Sequence, residues 1–183
     1  MIRAARLAPV VTIVLTAGLT AACSSLDPED FAGRTPEFRI EDYFVGETRA
    51  WGMFQDRSGE VRRTFTVDIE GTWDGETLTL VEDFLYDDGE TEQRVWRIAK
   101  TGEHAYEGTA DGVVGVARGE AYGDAMNWRY VFDLDIGSRS IHVRFDDWLF
   151  LQEDGVVLNR ATVSKLGVRL GEVTLAFQRP PED

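Results

Sequence analysis

The sequence predicts an all-β domain: an antiparallel up-and-down barrel of about eight to ten strands. Three observations carry this. From Tyr43 onward apolar residues recur with period two, the mark of strands with one face in a core. Turn dipeptides (Ser58-Gly59, Asp74-Gly75, Asp88-Gly89, Gly123-Asp124, Gly137-Ser138 and Asp154-Gly155) punctuate the alternation at hairpin spacing. No window of helical period competes with it.

The elements follow in order. Val61, Phe65, Val67 and Ile69 alternate with Arg62, Thr64, Thr66, Asp68 and Glu70. Leu78, Leu80, Phe84 and Tyr86 share the next apolar face. Val113, Gly115, Ala117, Gly119 and Ala121 place small side chains on one face, which reads as volume matching to large neighbours or as room for a ligand. The clearest strand runs from Met126 to Ile136, with Met126, Trp128, Tyr130, Phe132, Leu134 and Ile136 on one side. Ile141, Val143 and Phe145 follow. Phe145-Asp146-Asp147-Trp148 then interrupts the pattern and reads as a turn or bulge. Asn159 to Gly167 reads as a short helical turn, and Val173, Leu175 and Phe177 close the series. Closure removes exposed sheet edges, so a small lipocalin-like barrel is preferred to the alternative, a two-sheet β-sandwich. A membrane-spanning barrel does not suit a polar face so densely charged.

Residues 1–22 have the layout of a signal peptide: Arg3 and Arg6, an uncharged stretch from Leu7 to Leu19, then Thr20-Ala21-Ala22 before Cys23. The stretch falls short of the roughly 20 residues that span a bilayer. Ala21-Ala22-Cys23 resembles a bacterial lipobox, which implies cleavage before Cys23 and its acylation. Each buried CH₂ of such a chain contributes about 0.8 kcal/mol, and firm attachment takes more than one chain. Ser24 in place of aspartate implies, by the same resemblance, the periplasmic face of the outer membrane. Residues 23–42 are polar, with Pro28, Gly33 and Pro36, and read as the acylated cysteine and a flexible tether. Residues 43–183 form one β-domain.

The chain has 33 acidic and 19 basic residues, a net charge of −14 over 183 residues, and cleavage before Cys23 makes it −16. Such a surface repels nucleic-acid phosphates and anionic lipid headgroups, so any membrane attachment falls to the lipid. One cysteine excludes an intrachain disulfide and a cysteine-rich zinc site. No G-x-S-x-G, phosphate loop or H-E-x-x-H is present, and the two histidines, His104 and His142, are far apart in sequence. His142, near Arg144 and Asp146, reads as part of a surface cross-strand pair. Neither a metal, a cofactor nor a catalytic residue is expected, and an enzyme is the least supported class.

Charges on apolar faces are more informative. Glu82 shares a face with Leu80 and Phe84; Arg63 with Val61 and Phe65; Arg94 with Trp96 and Ile98; Arg97 with Val95 and Ala99. A lone buried charge costs several kcal/mol, so each needs a partner. A Glu82–arginine pair inside the barrel is either a structural ion pair or a polar handle for an acid-headed ligand such as a fatty acid. The candidate ligand-binding set is therefore Arg63, Glu82, Arg94, Trp96, Arg97, Trp128 and Tyr130, with Cys23 the lipidation site.

Ala50-Trp51-Gly52, Glu82-Asp83-Phe84, Asp88-Gly89, Arg94-Val95-Trp96, Asn127-Trp128-Arg129-Tyr130, Phe145-Asp146-Asp147-Trp148 and Leu158-Asn159-Arg160 stand in an order that resembles a family of proteobacterial lipoproteins known only as a domain of unknown function. The resemblance covers about Phe44 to Phe177 and carries over no catalytic residue. Its members tend to be encoded near fatty-acid-modifying enzymes, which implies a role in membrane lipid or envelope maintenance. The expectation is a non-enzymatic binder of a lipid or other apolar ligand; the alternative is a structural or protein-interaction module with a filled barrel.

Overall fold

The computed structural model describes residues 26–137 and 139–180. Residues 1–22, expected to be a signal segment, and Cys23 lie outside the described residues. Ten strands run in chain order: β1 (Gly46–Asp56), β2 (Val61–Trp73), β3 (Thr77–Tyr86), β4 (Thr91–Lys100), β5 (Ala105–Thr109), β6 (Ala117–Tyr122), β7 (Ala125–Ile136), β8 (Arg139–Leu151), β9 (Val157–Lys165) and β10 (Val168–Gln178). Each pairs antiparallel with its sequence neighbour, and β1 pairs with β10, from Arg49↔Gln178 to Asp56↔Gly171. The sheet is thus a closed barrel, not a sandwich.

The predicted turns fall between strands for a chemical reason. Asp56 Oδ1 accepts from the Ser58 amide at 2.8 Å, Asp74 Oδ1 from the Thr77 amide at 2.7 Å, and Asp88 Oδ1 from the Glu90 amide at 3.0 Å. Each aspartate ties down the turn that follows it. Gly59 then takes φ +86°, a left-handed conformation that glycine adopts without steric cost.

Two sequence expectations fail here. Asn159 to Gly167 is not helical: β9 runs through it, with Val157, Asn159, Ala161 and Val163 buried along one face. Phe145 to Trp148 is neither a turn nor a bulge. β8 continues unbroken, in register with β7 from Ile136↔Arg139 to Ala125↔Phe150.

The tether is also shorter than expected, because the segment from Pro28 packs on the barrel. Phe31 lies on the outer face against Trp148 and Phe150, with centroids 5.7 and 5.6 Å apart. Phe38, the short helix α1 (Ile40–Tyr43) and Phe44 then close one end. The Tyr43 hydroxyl donates toward the carbonyls of Gly155 (3.0 Å) and Phe177 (3.1 Å). Glu41 accepts from Lys100 Nζ at 2.5 Å and from the Tyr106 hydroxyl at 2.9 Å. Five aromatic or aliphatic anchors, spread among prolines, glycines and charges, are diluted in composition yet suffice to bury the segment.

The Glu41 latch has a measurable consequence. Glu41→Ala leaves the half-buried Lys100 ammonium without its carboxylate, at an expected cost of about 2 kcal/mol. A urea melt reads it as a lower midpoint with little change in m-value.

Candidate functional site

The closed end of the barrel is filled. Trp96 and Trp128 meet edge-on at 5.7 Å, and Tyr130 stands edge-on to Trp96 at 5.4 Å. The glycines opposite are small because these rings occupy their space. A Cβ on Gly119 would lie 2.3 Å from the Trp128 ring, and one on Gly108 would lie 2.9 Å from it. Small beside large is volume matching in this half.

The other end is ringed by the β1–β2, β3–β4, β5–β6, β7–β8 and β9–β10 connections, and no segment like residues 38–44 covers it among the described residues. Its inner wall is aromatic and half-buried: Phe54, Phe65, Phe84, Tyr86, Phe132 and Phe145. Tyr130 stacks on Phe145 at 4.9 Å, and Phe84 on Tyr86 at 6.0 Å. Arg63 sits at the rim, with its guanidinium 3.5 Å from the centroid of the Tyr86 ring, and donates to Asp88 at 3.1 Å and Glu90 at 2.5 Å.

Between mouth and filled half lies a polar layer. The cross-strand register places Glu82 beside Arg94 and Phe84 beside Glu92. No ion pair joins Glu82 to Arg94 among the described residues. Arg94 instead donates to Glu92 at 2.6 Å, and Glu92 also accepts from the Tyr86 hydroxyl at 2.8 Å. The Arg94 guanidinium lies between Phe84 and Phe132, 5.1 and 4.9 Å from their centroids. From the facing wall come Tyr130, Asp147 and Asn159, and the Asn159 side-chain amide donates to the Trp148 carbonyl at 3.2 Å. Burial pushes the Glu82 carboxyl up to about 7, partly opposed by the nearby Arg94 charge. Burial likewise pushes Asp147 to about 7, with the charges of Asp146 and Glu82 adding to the rise. The Tyr130 phenol is raised far above its ordinary range, first by burial and then by Asp147.

Of the residues expected from sequence, Glu82, Arg94, Trp96, Trp128 and Tyr130 meet inside the barrel, and Arg63 stands at its mouth. Arg97 does not join them. It lies exposed on the outer face, because strand alternation puts it opposite to its neighbours Trp96 and Ile98. Asp147 and Asn159 were missed; the signal was the unbroken alternation Val143, Phe145, Asp147, Leu149. His142 pairs across the β7–β8 hairpin with Asp133 at 3.6 Å, and both are exposed. A separate depression of about 550 Å³ lies on the outer side, bordered by Val114, Val116, Arg118, Arg129 and Arg144. Arg118 is bound there to Glu107 and Arg129 to Asp146, so two of its three cations are paired.

The two raised carboxyls fix a pH dependence. Each holds its proton more tightly in the fold than in the unfolded chain, where carboxyls titrate near 4. The stability they contribute is therefore present below about pH 4 and is lost as pH rises through about 7. Thermal melts should show Tm falling between pH 5 and pH 8, and Glu82→Gln should flatten that fall and raise Tm at pH 8. A Glu82→Gln profile parallel to that of the parent protein counts against it.

No curated protein matches the chain. Among solved structures, the S-type phycobiliprotein lyase CPES from Guillardia theta is similar at TM-score 0.57 and 11% identity, over 79% of this chain and 92% of that one. That likeness shows the fold: a lipocalin-like barrel. The family model described as Protein of unknown function (DUF3833) matches residues 17–179, and the chain belongs to that family.

Proposed function

We propose that this protein is a lipid-anchored outer-membrane protein of the periplasmic face, whose barrel holds a lipid or other apolar ligand in the service of envelope maintenance. The observation that carries the reading is the contrast between the two ends of the barrel. One end is plugged by residues 38–44, while the other keeps half-buried aromatic walls around a polar layer. Fixed apolar walls with a few convergent polar groups are the ordinary form of a small-molecule site. The likeness to a barrel named as a phycobiliprotein lyase supports this at the level of fold. The anchor rests on Ala21-Ala22-Cys23. A second reading, an interaction module with a filled interior, draws support from Trp96 and Trp128, which fill the plugged half.

Native mass spectrometry of the full-length protein extracted from membranes distinguishes them. A noncovalent lipid adduct near one per chain is expected; a barrel that is empty in every preparation defeats the binder reading. Cys23→Ala should abolish acylation and release the protein from membranes, and unchanged attachment would defeat the anchor.

A further inference from the structure

We propose that the depression on the outer wall is a second site, one that takes a phosphate-headed ligand. It lies outside the barrel and does not depend on the mouth holding an apolar molecule. The depression exists because β5 and β6 are short, 5 and 6 residues against 12 in β7. Beyond them the mouthward half of β7 is edged by the segment 110–116, which is pinned to it. The Val114 amide donates to the Val131 carbonyl and the Asp133 amide to the Gly112 carbonyl, each at 2.8 Å. The hollow beside that segment measures about 550 Å³, within the range of small-molecule sites.

Three arginines border it: Arg118 from β6, Arg129 from β7 and Arg144 from β8. The register sets Arg118 directly opposite Arg129, and like charges so placed weaken a strand pair. Across the sheet the row reads Glu107, Arg118, Arg129, Asp146, so the acids stand outside and the two cations meet in the middle. Each arginine reaches its acid through Nε alone, Arg118 to Glu107 at 3.1 Å and Arg129 to Asp146 at 3.3 Å. Asp146 already accepts from the Asn127 side-chain amide at 2.7 Å. The terminal nitrogens of both guanidiniums therefore have no partner among the described residues. Arg144, one row nearer the mouth and opposite Val131 and Ser164, has none at any nitrogen among them. Glu120 also borders the hollow, one row toward the plug and opposite Asn127.

Exposed ion pairs of this kind are weak and give way to a better acceptor. Three forks of N–H donors with no acceptor between them match the oxygens of a phosphate, which guanidinium binds through paired hydrogen bonds. A phosphate monoester carries about −1.5 to −2 at pH 7, more than a carboxylate brings to three cations. The remaining border is apolar: Val131, with Val114 and Val116 42% and 43% exposed. A lipid phosphate would lay the start of its acyl chains on these valines, whereas a soluble phosphate ester would use the arginines alone.

The test titrates the purified full-length protein calorimetrically with inorganic phosphate, glycerol 3-phosphate and dihexanoylphosphatidic acid. It is run at low ionic strength, because salt screens exposed charges. Arg144→Gln should weaken every phosphate that binds about tenfold, the effect of one charged hydrogen bond. An unchanged thermal melt checks that the fold is intact. Arg97→Gln, which removes an exposed outer-face arginine of β4 away from the hollow, should change nothing. Dihexanoylphosphatidic acid binding about tenfold more tightly than glycerol 3-phosphate, with Val116→Asn erasing the difference, assigns the site to a lipid phosphate. Equal affinities assign it to a soluble phosphate ester. Binding by none of the three, or affinities indifferent to Arg144→Gln, overturns the outer site. A dihexanoylphosphatidic acid that binds and ignores Arg144→Gln does so too, and leaves the reading of the mouth standing.

Discussion

Trp128→Ala is expected to destabilise the barrel by about 3–5 kcal/mol. The indole fills the space that Gly108 and Gly119 leave and packs edge-on to Trp96. Its neighbours belong to paired strands and cannot collapse into the void, so the cavity persists. At about 2–4 °C per kcal/mol for a chain of this size, Tm should drop by about 10 °C or more. The packing account makes a sharper claim about pairs. Gly119→Ala alone puts a methyl 2.3 Å from the Trp128 ring and should destabilise. In the Trp128→Ala background that ring is gone, so the same glycine substitution should cost less. Strict additivity in this double-mutant cycle would sink the idea that the two positions share one volume.

Gly71→Ala should cost about 3 kcal/mol for a different reason. A Cβ there would lie 1.7 Å from the Phe44 carbonyl oxygen and 2.7 Å from its carbonyl carbon. That obstacle is backbone, and it cannot rotate away. Phe44 is wedged edge-on between Tyr43 (4.8 Å) and Phe177 (5.5 Å), so relief requires the whole plug to shift. The expected signs are a lower urea midpoint and rapid proteolytic loss of the segment before β1. Gly102→Ala is the control, since its methyl meets nothing closer than 3.3 Å. Equal effects of the two substitutions would refute the steric account.

Much of the barrel was legible because its strands alternate and several of its turns carry an aspartate or serine before glycine. Asp74-Gly75 and Asp88-Gly89 announce their hairpins by side-chain chemistry alone. The failures have a common source. Asp147 and Asn159 occupy inward positions where an apolar residue is expected, so each broke the pattern at the place where the barrel keeps its polar layer. A polar residue on a buried face looks, in one dimension, like the end of a strand. Glu82 and Arg94 escaped that confusion because apolar residues flank them on both sides. Their pairing did not follow from sequence: Glu92, two residues before Arg94 on the same face, competes for the guanidinium and wins it. The plug was hidden by averaging, since Phe38, Tyr43 and Phe44 matter through where they dock and not through how many they are.

The seam between β1 and β10 bears on how the chain reaches this state. Every other pairing in the barrel joins neighbours along the chain and can form as a local hairpin or meander. The seam joins Arg49 to Gln178, across about 130 residues. Closing a loop of that length from the open chain costs on the order of 4 kcal/mol of entropy before any contact is gained. The nine hairpin pairings shorten that search by curling the meander first, so the seam is the natural final step. Of these ten strands the last to be synthesised is also the one β1 waits for, and until it arrives β1 keeps an unsatisfied edge.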